Sequence, residues 1–371
     1  MMVRRLHVCL CLMWLGYMWS DVVKAEDVGT RCRMESGDPG ECKLLKECPP
    51  RIEEVRQGRR QAESARCGWD GLDEIVCCPT KLQEKIGIRP ADLACQQYTN
   101  DVLLITTPNI VAGVEATSAE FPYMVALGYI DKSKLPERVI LYECGGTIIA
   151  PNYVLTAAHC IDNEDNRAPV LVRVGAESLD PKAEGVQYVR VGSAIPHPKY
   201  KRSQIYNDIA LLKLTDPFKW SKTVKPICLL SKPINEIQIN VNVSIYVAGW
   251  GDIGANGEVT NRLLRTPSLN LVPPSKCSES YRRVRQVPRG IDETVICAVD
   301  EDKTRRADSC NGDSGGPLLM IDTQGDTVIG VTSFGQSCGS VIPAGYTSVF
   351  SFLDWIEQQV WPDTESQTTT D

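Results

Sequence analysis

Ser314 lies in the run Asp308-Ser309-Cys310-Asn311-Gly312-Asp313-Ser314-Gly315-Gly316-Pro317. A serine hydroxyl is a weak nucleophile until a neighbouring base takes its proton. Small residues and glycines on both sides let the chain turn sharply and expose that hydroxyl. The same turn can aim backbone N–H groups at one point, as a developing oxyanion requires. The chemistry on offer is acyl transfer through a serine ester, given a base and an acid to orient it. Thr156-Ala157-Ala158-His159-Cys160 supplies an imidazole, and Asn207-Asp208-Ile209-Ala210-Leu211-Leu212 supplies a carboxylate. Their order along the chain is His, Asp, Ser, one of three unrelated orders in which such triads occur.

Histidine is scarce, which sharpens the choice of base. The chain has three, His7, His159 and His197. His7 falls in the N-terminal leader. His197 stands between prolines in Ile195-Pro196-His197-Pro198, a turn context in which a structural role is the reading. His159 remains.

These strings, with Ile110-Val111-Ala112-Gly113 and Gly249-Trp250-Gly251, resemble the trypsin/chymotrypsin family of serine proteases. The resemblance runs from residue 110 to about residue 361. It implies a mainly β fold of two six-stranded antiparallel β-barrels with the active site between them and a C-terminal helix. It implies Ser314 as nucleophile, His159 as base and later acid, and Asp208 as the group that fixes the imidazole. The Gly312 and Ser314 N–H groups would form the oxyanion hole. No metal or organic cofactor is needed.

Specificity is also implied by the resemblance. Asp308 stands where trypsin-like members carry the acid that pairs with Arg or Lys. Ser333-Phe334-Gly335 would pair with the substrate backbone, with Phe334 replacing the usual tryptophan. In Pro343-Ala344-Gly345-Tyr346-Thr347, Ala344 replaces a glycine of the pocket wall. Cleavage before Ile110 would release an amine that folds onto Asp313, a proteolytic switch. The residue before Ile110 is Asn109 rather than Arg or Lys, so the activator is expected to have non-tryptic specificity.

Composition sets the compartment. A formal net charge of −7 argues against nucleic acid as a partner. Arg4 and Arg5, the apolar residues 6–19 and the small residues around Ala25 read as a secretory signal over 1–25. That apolar run is shorter than a membrane helix requires, so no membrane association is expected. Of the sixteen cysteines, Cys9 and Cys11 lie in the leader, and all the others can pair, as in an oxidised secreted chain. Zinc is disfavoured by the lack of repeated close Cys/His pairs.

The elements that must carry these residues fall into blocks. Residues 26–78 hold six cysteines, and so small a unit depends on disulfides for stability. The adjacent Cys77-Cys78 resembles the clip domain of arthropod clip-domain serine proteases. That family implies Cys32–Cys77, Cys42–Cys67 and Cys48–Cys78. Residues 79–109 read as a linker and activation segment without clear periodicity. The protease resemblance pairs its Cys95 with Cys228, and implies Cys144–Cys160, Cys277–Cys297 and Cys310–Cys338. Residues 110–361 form the protease domain, with strands such as 170–174, 186–191 and 328–333. Near its end Ser351 is placed as the cap of a helix whose apolar face is Phe352, Trp355, Ile356 and Val360. Residues 362–371 read as a disordered polar tail.

Two features stand outside this scheme. Asn242-Val243-Ser244 is a glycosylation sequon. Arg282, Arg283, Arg285 and Arg289 form a basic run, read first as a solvated loop and second as a docking site. The expected protein is a secreted zymogen cutting after Arg or Lys in an extracellular cascade of immunity or embryonic patterning. Its partners would be downstream zymogens, an upstream activator and serpin-type inhibitors. The rival readings are a non-catalytic homologue acting as an adaptor and a digestive protease.

Overall fold

β-Branched and leucine-rich runs bounded by Gly, Pro and Asp turns become strands throughout the chain. The computed structural model describes residues 28–35, 39–56, 65–79, 88–100, 116–162, 167–251, 261–302, 312–336 and 340–362. The leader, Asn109, Ile110, Asp308, the Cys310–Cys338 pair and the tail beyond residue 362 lie outside these residues. The chain divides into two compact units, Met1–Gly87 and Ile88–Asp371.

The first unit is a four-stranded sheet of β1 (Arg31–Arg33), β2 (Pro39–Leu44), β3 (Arg66–Asp70) and β4 (Asp73–Pro79), in the order β1-β2-β4-β3. Helix α1 (Pro49–Arg56) follows a single 3-10 turn. Disulfides Cys32–Cys77, Cys42–Cys67 and Cys48–Cys78 all converge on β3 and β4. Arg51 is only 3% exposed, yet its guanidinium meets the Cys77 carbonyl at 3.2 Å, Glu35 at 2.8 Å and Glu54 at 2.7 Å. A buried cation is tolerated here because its donors are matched.

The second unit begins with α2 (Pro90–Asn100), in the stretch read from sequence as a linker. Pro90 opens this helix, where its missing N–H costs nothing. What holds α2 is tertiary. Ala91 and Ala94 are buried, Cys95 is bonded to Cys228, and the Ala91 N–H donates to Glu357 Oε1 at 3.1 Å. A weak helix thereby gains partners that no local periodicity announces.

Six strands then close a barrel in the order β10-β7-β6-β5-β8-β9. They are β5 (Met124–Ile130), β6 (Ile140–Ala150), β7 (Tyr153–Thr156), β8 (Leu171–Val174), β9 (Gln187–Pro196) and β10 (Ala210–Leu214). Val125, Leu127, Ile148, Val154, Leu155, Leu211 and Leu212 are fully buried, in the apolar cluster that packs both faces of these strands. The remaining strands are β11 (Cys228–Leu229), β12 (Ser244–Gly249), β13 (Leu264–Arg265), β14 (Asn270–Val272), β15 (Val295–Val299), β16 (Pro317–Asp322), β17 (Gly325–Phe334) and β18 (Ala344–Ser348). They form a second, curled sheet in the order β13-β12-β16-β17-β18-β15-β14, with β11 added alongside β17.

Among the described residues three short helices follow: α3 (Ala158–Ile161), α4 (Pro274–Tyr281) and α5 (Leu353–Val360). The expected C-terminal helix is present, but Ser351 does not cap it. A 3-10 turn, Phe350–Phe352, precedes α5, and the Ser351 hydroxyl donates instead to the Glu293 carbonyl at 2.7 Å. Phe352, Leu353 and Ile356 are buried as one face, while Asp354 and Glu357 face Arg89. His197 packs edge-on against Phe352 and Trp355, a structural role. Among the described residues no helix is long and apolar enough to cross a membrane.

Candidate active site

The closed barrel supplies two of the three triad candidates. His159 stands in α3, the single helical turn that follows β7, and Asp208 immediately precedes Ile209 and β10. Thr156 pairs with Ala210 across β7 and β10, which fixes the separation of the two segments. His159 Nδ1 and Asp208 Oδ2 are 2.7 Å apart, and the His159 backbone N–H donates to Asp208 Oδ1 at 2.9 Å. The second sheet contributes a further donor, Ser333 Oγ, to Asp208 Oδ2 at 2.5 Å. Thr347 Oγ1 donates to the Asp208 carbonyl at 2.8 Å.

Asp208 is 4% exposed, so its charge needs this matching. Burial alone would push its carboxyl up, but the His159 charge and the hydrogen bonds from His159 and Ser333 hold it below the ordinary carboxylate value. Burial likewise acts against an imidazolium at His159. The Asp208 charge and hydrogen bond prevail and raise the His159 pKa. The pair thus fixes the tautomer with Nδ1 facing the carboxylate and leaves Nε2 to the cleft.

The Ser314 turn is held by backbone. The Gly145 N–H of β6 donates to the Ser314 carbonyl at 2.8 Å, Gly315 N–H to the Thr332 carbonyl at 2.8 Å, and Gly316 N–H to the Asp313 carbonyl at 2.9 Å. Gly315 has φ +76°, and a Cβ there would lie 2.2 Å from Thr156 Oγ1 and 3.0 Å from Cys160 Sγ. The turn therefore presses against the residues flanking His159, at a distance only glycine permits. Among the described residues Ser314 Oγ and His159 Nε2 are not within hydrogen-bond reach of each other. Such contacts are commonly long without a substrate and tighten in its complex. Neither the Gly312 nor the Ser314 N–H donates to another described group.

Asp313 is buried, and the Gly251 N–H donates to its Oδ1 at 2.9 Å. Ser333 lies at the end of β17 beside Asp208 and Gly335 directly follows the strand, and the Phe334 ring lies over Gly345, where a Cβ would fall 2.1 Å from it. Ala344 is 3% exposed and pairs with Ala298 in an apolar cluster that includes Ile296 and Tyr346. Disulfides Cys144–Cys160 and Cys277–Cys297 are formed. The sulfurs of Cys144 and Cys160 lie within 4.8 Å of a His159 ring nitrogen, but both are spent in the S–S bond and offer no thiolate to a metal. Asn242 is exposed in the turn before β12, its N–H on Asn240 Oδ1 at 2.9 Å.

Sequence reasoning missed the Ser333 bond to Asp208 and the Gly145 bond to Ser314. Ser333 is 125 residues from Asp208, and no local pattern carries that pairing.

The trypsin family model matches residues 110–356. The serine protease snk of Drosophila melanogaster is 34% identical over 351 residues, covering 89% of this chain and 78% of the relative. Melanization protease 1 of the same species is 30% identical over 408 residues, covering 95% of this chain and 99% of the relative. The CLIP domain-containing serine protease B4 of Anopheles gambiae is 29% identical over 361 residues, covering 91% and 94%. With the His159–Asp208 pair, the Ser314 turn and the disulfide-rich N-terminal unit, these matches make the chain a serine endopeptidase that belongs to the arthropod clip-domain serine proteases.

Proposed function

We propose that this protein is a secreted zymogen that, once cleaved before Ile110, hydrolyses protein substrates after Arg or Lys. Ser314 Oγ attacks the scissile carbonyl carbon while its proton passes to His159 Nε2. The tetrahedral oxyanion is held by the Gly312 and Ser314 N–H groups. Breaking the C–N bond releases the amine, which takes the proton from His159, and leaves an ester on Ser314. Water then repeats the sequence with His159 as base, restoring the free hydroxyl. Asp208, charged throughout, stabilises the imidazolium.

The pair of half-buried His159 and buried Asp208, set against the Ser314 turn, carries this reading most directly. Specificity follows from Asp308, whose carboxylate would pair with the arginine or lysine side chain. The amine of Ile110 would join Asp313 and order the oxyanion turn. Relatives named for melanization and phenoloxidase activation support a place in an activation cascade. In this reading the cascade is extracellular, the substrates are zymogens and the regulators are serpin-type inhibitors. Asn242, exposed and in a sequon, is assigned as a glycan acceptor.

The test is labelling by a serine-directed organophosphate after cleavage before Ile110. Wild type should take up label stoichiometrically and hydrolyse an arginyl peptide amide. Ser314→Ala should do neither, and adding His159→Ala should change little further, because the triad acts as a unit. A cleaved wild type that neither labels nor hydrolyses would establish the non-catalytic adaptor instead.

A further inference from the structure

Arg282, Arg283, Arg285 and Arg289 occupy the loop between α4 and β15. The segment 282–289 holds no acidic residue, in a chain of net charge −7. All four side chains are exposed, and among the described residues none forms an ion pair. Four guanidinium groups without an ion-pair partner on one short loop make a local positive field.

The loop is firmly seated. Val287 is buried and Val284 half-buried, in a cluster with Ile205, Tyr206, Tyr281 and Phe334. The Ile205 N–H donates to the Gln286 carbonyl at 3.2 Å, and the Arg289 N–H to Tyr206 Oη at 3.0 Å. The Arg289 guanidinium sits 4.1 Å from the Tyr206 ring centroid. On the other side, the Tyr281 ring meets Phe334 edge-on at 5.1 Å. The loop, with Tyr281 at the end of α4, therefore packs against two segments that flank Asp208. One is the segment 205–208, which ends in Asp208. The other is Phe334, which follows Ser333, the donor to Asp208.

We infer that this loop is an acid-selecting extension of the cleft, which favours protein substrates carrying Asp or Glu a few residues before the cleaved Arg or Lys. This rests on the proposed protease reading, in which the substrate backbone runs along Ser333-Phe334-Gly335. A chain leaving the catalytic serine along that strand passes Phe334 and comes to the arginines. Their planar forks match carboxylates in bidentate fashion. The buried valines hold the loop backbone in place before binding, which lowers the ordering cost. Each exposed pair contributes little alone, so the effect belongs to the group and is sensitive to salt.

The experiment uses the full chain cleaved before Ile110, with active enzyme counted by titration of Ser314. Two arginyl peptide amides are compared, one with alanines and one with aspartates ahead of the arginine. In wild type at low salt, kcat/KM should favour the aspartate peptide by roughly fivefold to tenfold. That ratio should approach one in about 1 M salt. Combined Arg282→Gln, Arg283→Gln and Arg285→Gln should remove it, and Arg283→Glu with Arg285→Glu should bring the ratio below one. Arg289 is left in place because it packs on Tyr206. A wild-type ratio near one overturns the inference, as does a ratio that survives the substitutions. A ratio near one with arginine-dependent retention on a sulfated polysaccharide would replace it with a polyanion site. Cleavage of neither peptide would sink the protease reading and this inference together.

Discussion

Arg89 forks onto Glu357 across 268 residues of sequence, donating from Nε to Oε1 at 3.3 Å and from Nη2 to Oε2 at 2.7 Å. Arg89 also reaches Asp354, and Glu357 Oε1 accepts the Ala91 N–H at 3.1 Å. One carboxylate thus satisfies both the cation before α2 and an orphan donor in its first turn. Glu357→Gln should lower the stability of the protease unit by about 1–2 kcal/mol, the scale of a charge-assisted pair that is mostly buried. Paired urea titrations of wild type and variant check this. An unchanged midpoint would mean that α2 is held by the disulfide alone.

The second prediction concerns pH. Burial opposes the His159 imidazolium, but Asp208 outweighs it, so the pKa of His159 lies above 6.5. Because the base must be neutral, the acid limb of kcat/KM should have its midpoint above 6.5. Asp208→Asn should move that limb down and slow the reaction by about 10⁴. Stability follows from the same shifts. The contribution of His159 is full below its unfolded pKa and is lost as pH rises through its raised folded value. That of Asp208, whose pKa is lowered, is full above its unfolded value and is lost as pH falls through the folded one. Between 3.8 and 6.5 both partners are charged in the folded chain. In a Ser314→Ala background, Asp208→Asn should therefore cost most stability at about pH 5 and less at about pH 9. An equal cost at both would contradict the pairing.

Gly315 is a third point of leverage. Its φ is +76°, and a methyl there would lie 2.2 Å from Thr156 Oγ1 and 2.7 Å from the Gly145 carbonyl. Gly315→Ala should cost about 1–3 kcal/mol through overpacking and strain. It should also displace Ser314, so that organophosphate labelling falls more than stability does. Full labelling in that variant would show that the turn has slack.

The Cys95–Cys228 bond spans 133 residues and encloses the activation bond proposed before Ile110. Cleaved protein should run as one band on a non-reducing gel and as two after reduction. Free release of the N-terminal fragment without reductant would refute this tether.

Activation itself should not follow the tryptic rule. Asn109 offers no charge to a trypsin-like activator. Trypsin should leave the wild-type zymogen inactive at this bond, and Asn109→Arg should make it trypsin-activatable. An Asn-directed protease should activate wild type directly. N-terminal sequencing for Ile110 provides the readout, and equal activation of both forms by trypsin would end the proposal.

The triad candidates, the strand-rich character of residues 110–361 and the cysteine grouping were legible in the sequence because each is written locally. His159 and Cys160, Asp208 before an apolar strand, and Ser314 among glycines are short strings whose chemistry depends on side-chain type. What joins them is not local. Ser333 reaches Asp208 from the other sheet, Gly145 fixes the Ser314 carbonyl, and Glu357 caps a helix that the sequence presents as a linker. Helix α2 has little periodicity to reveal it, since its stability comes from a disulfide and an ion pair made hundreds of residues away or on another element. The same applies to Ser351, whose hydroxyl satisfies Glu293 rather than its own helix. The sequence alone determined which groups are available for chemistry. The tertiary structure decided which of them meet, because a buried charge or orphan N–H takes the nearest partner in space, whatever its place in the chain.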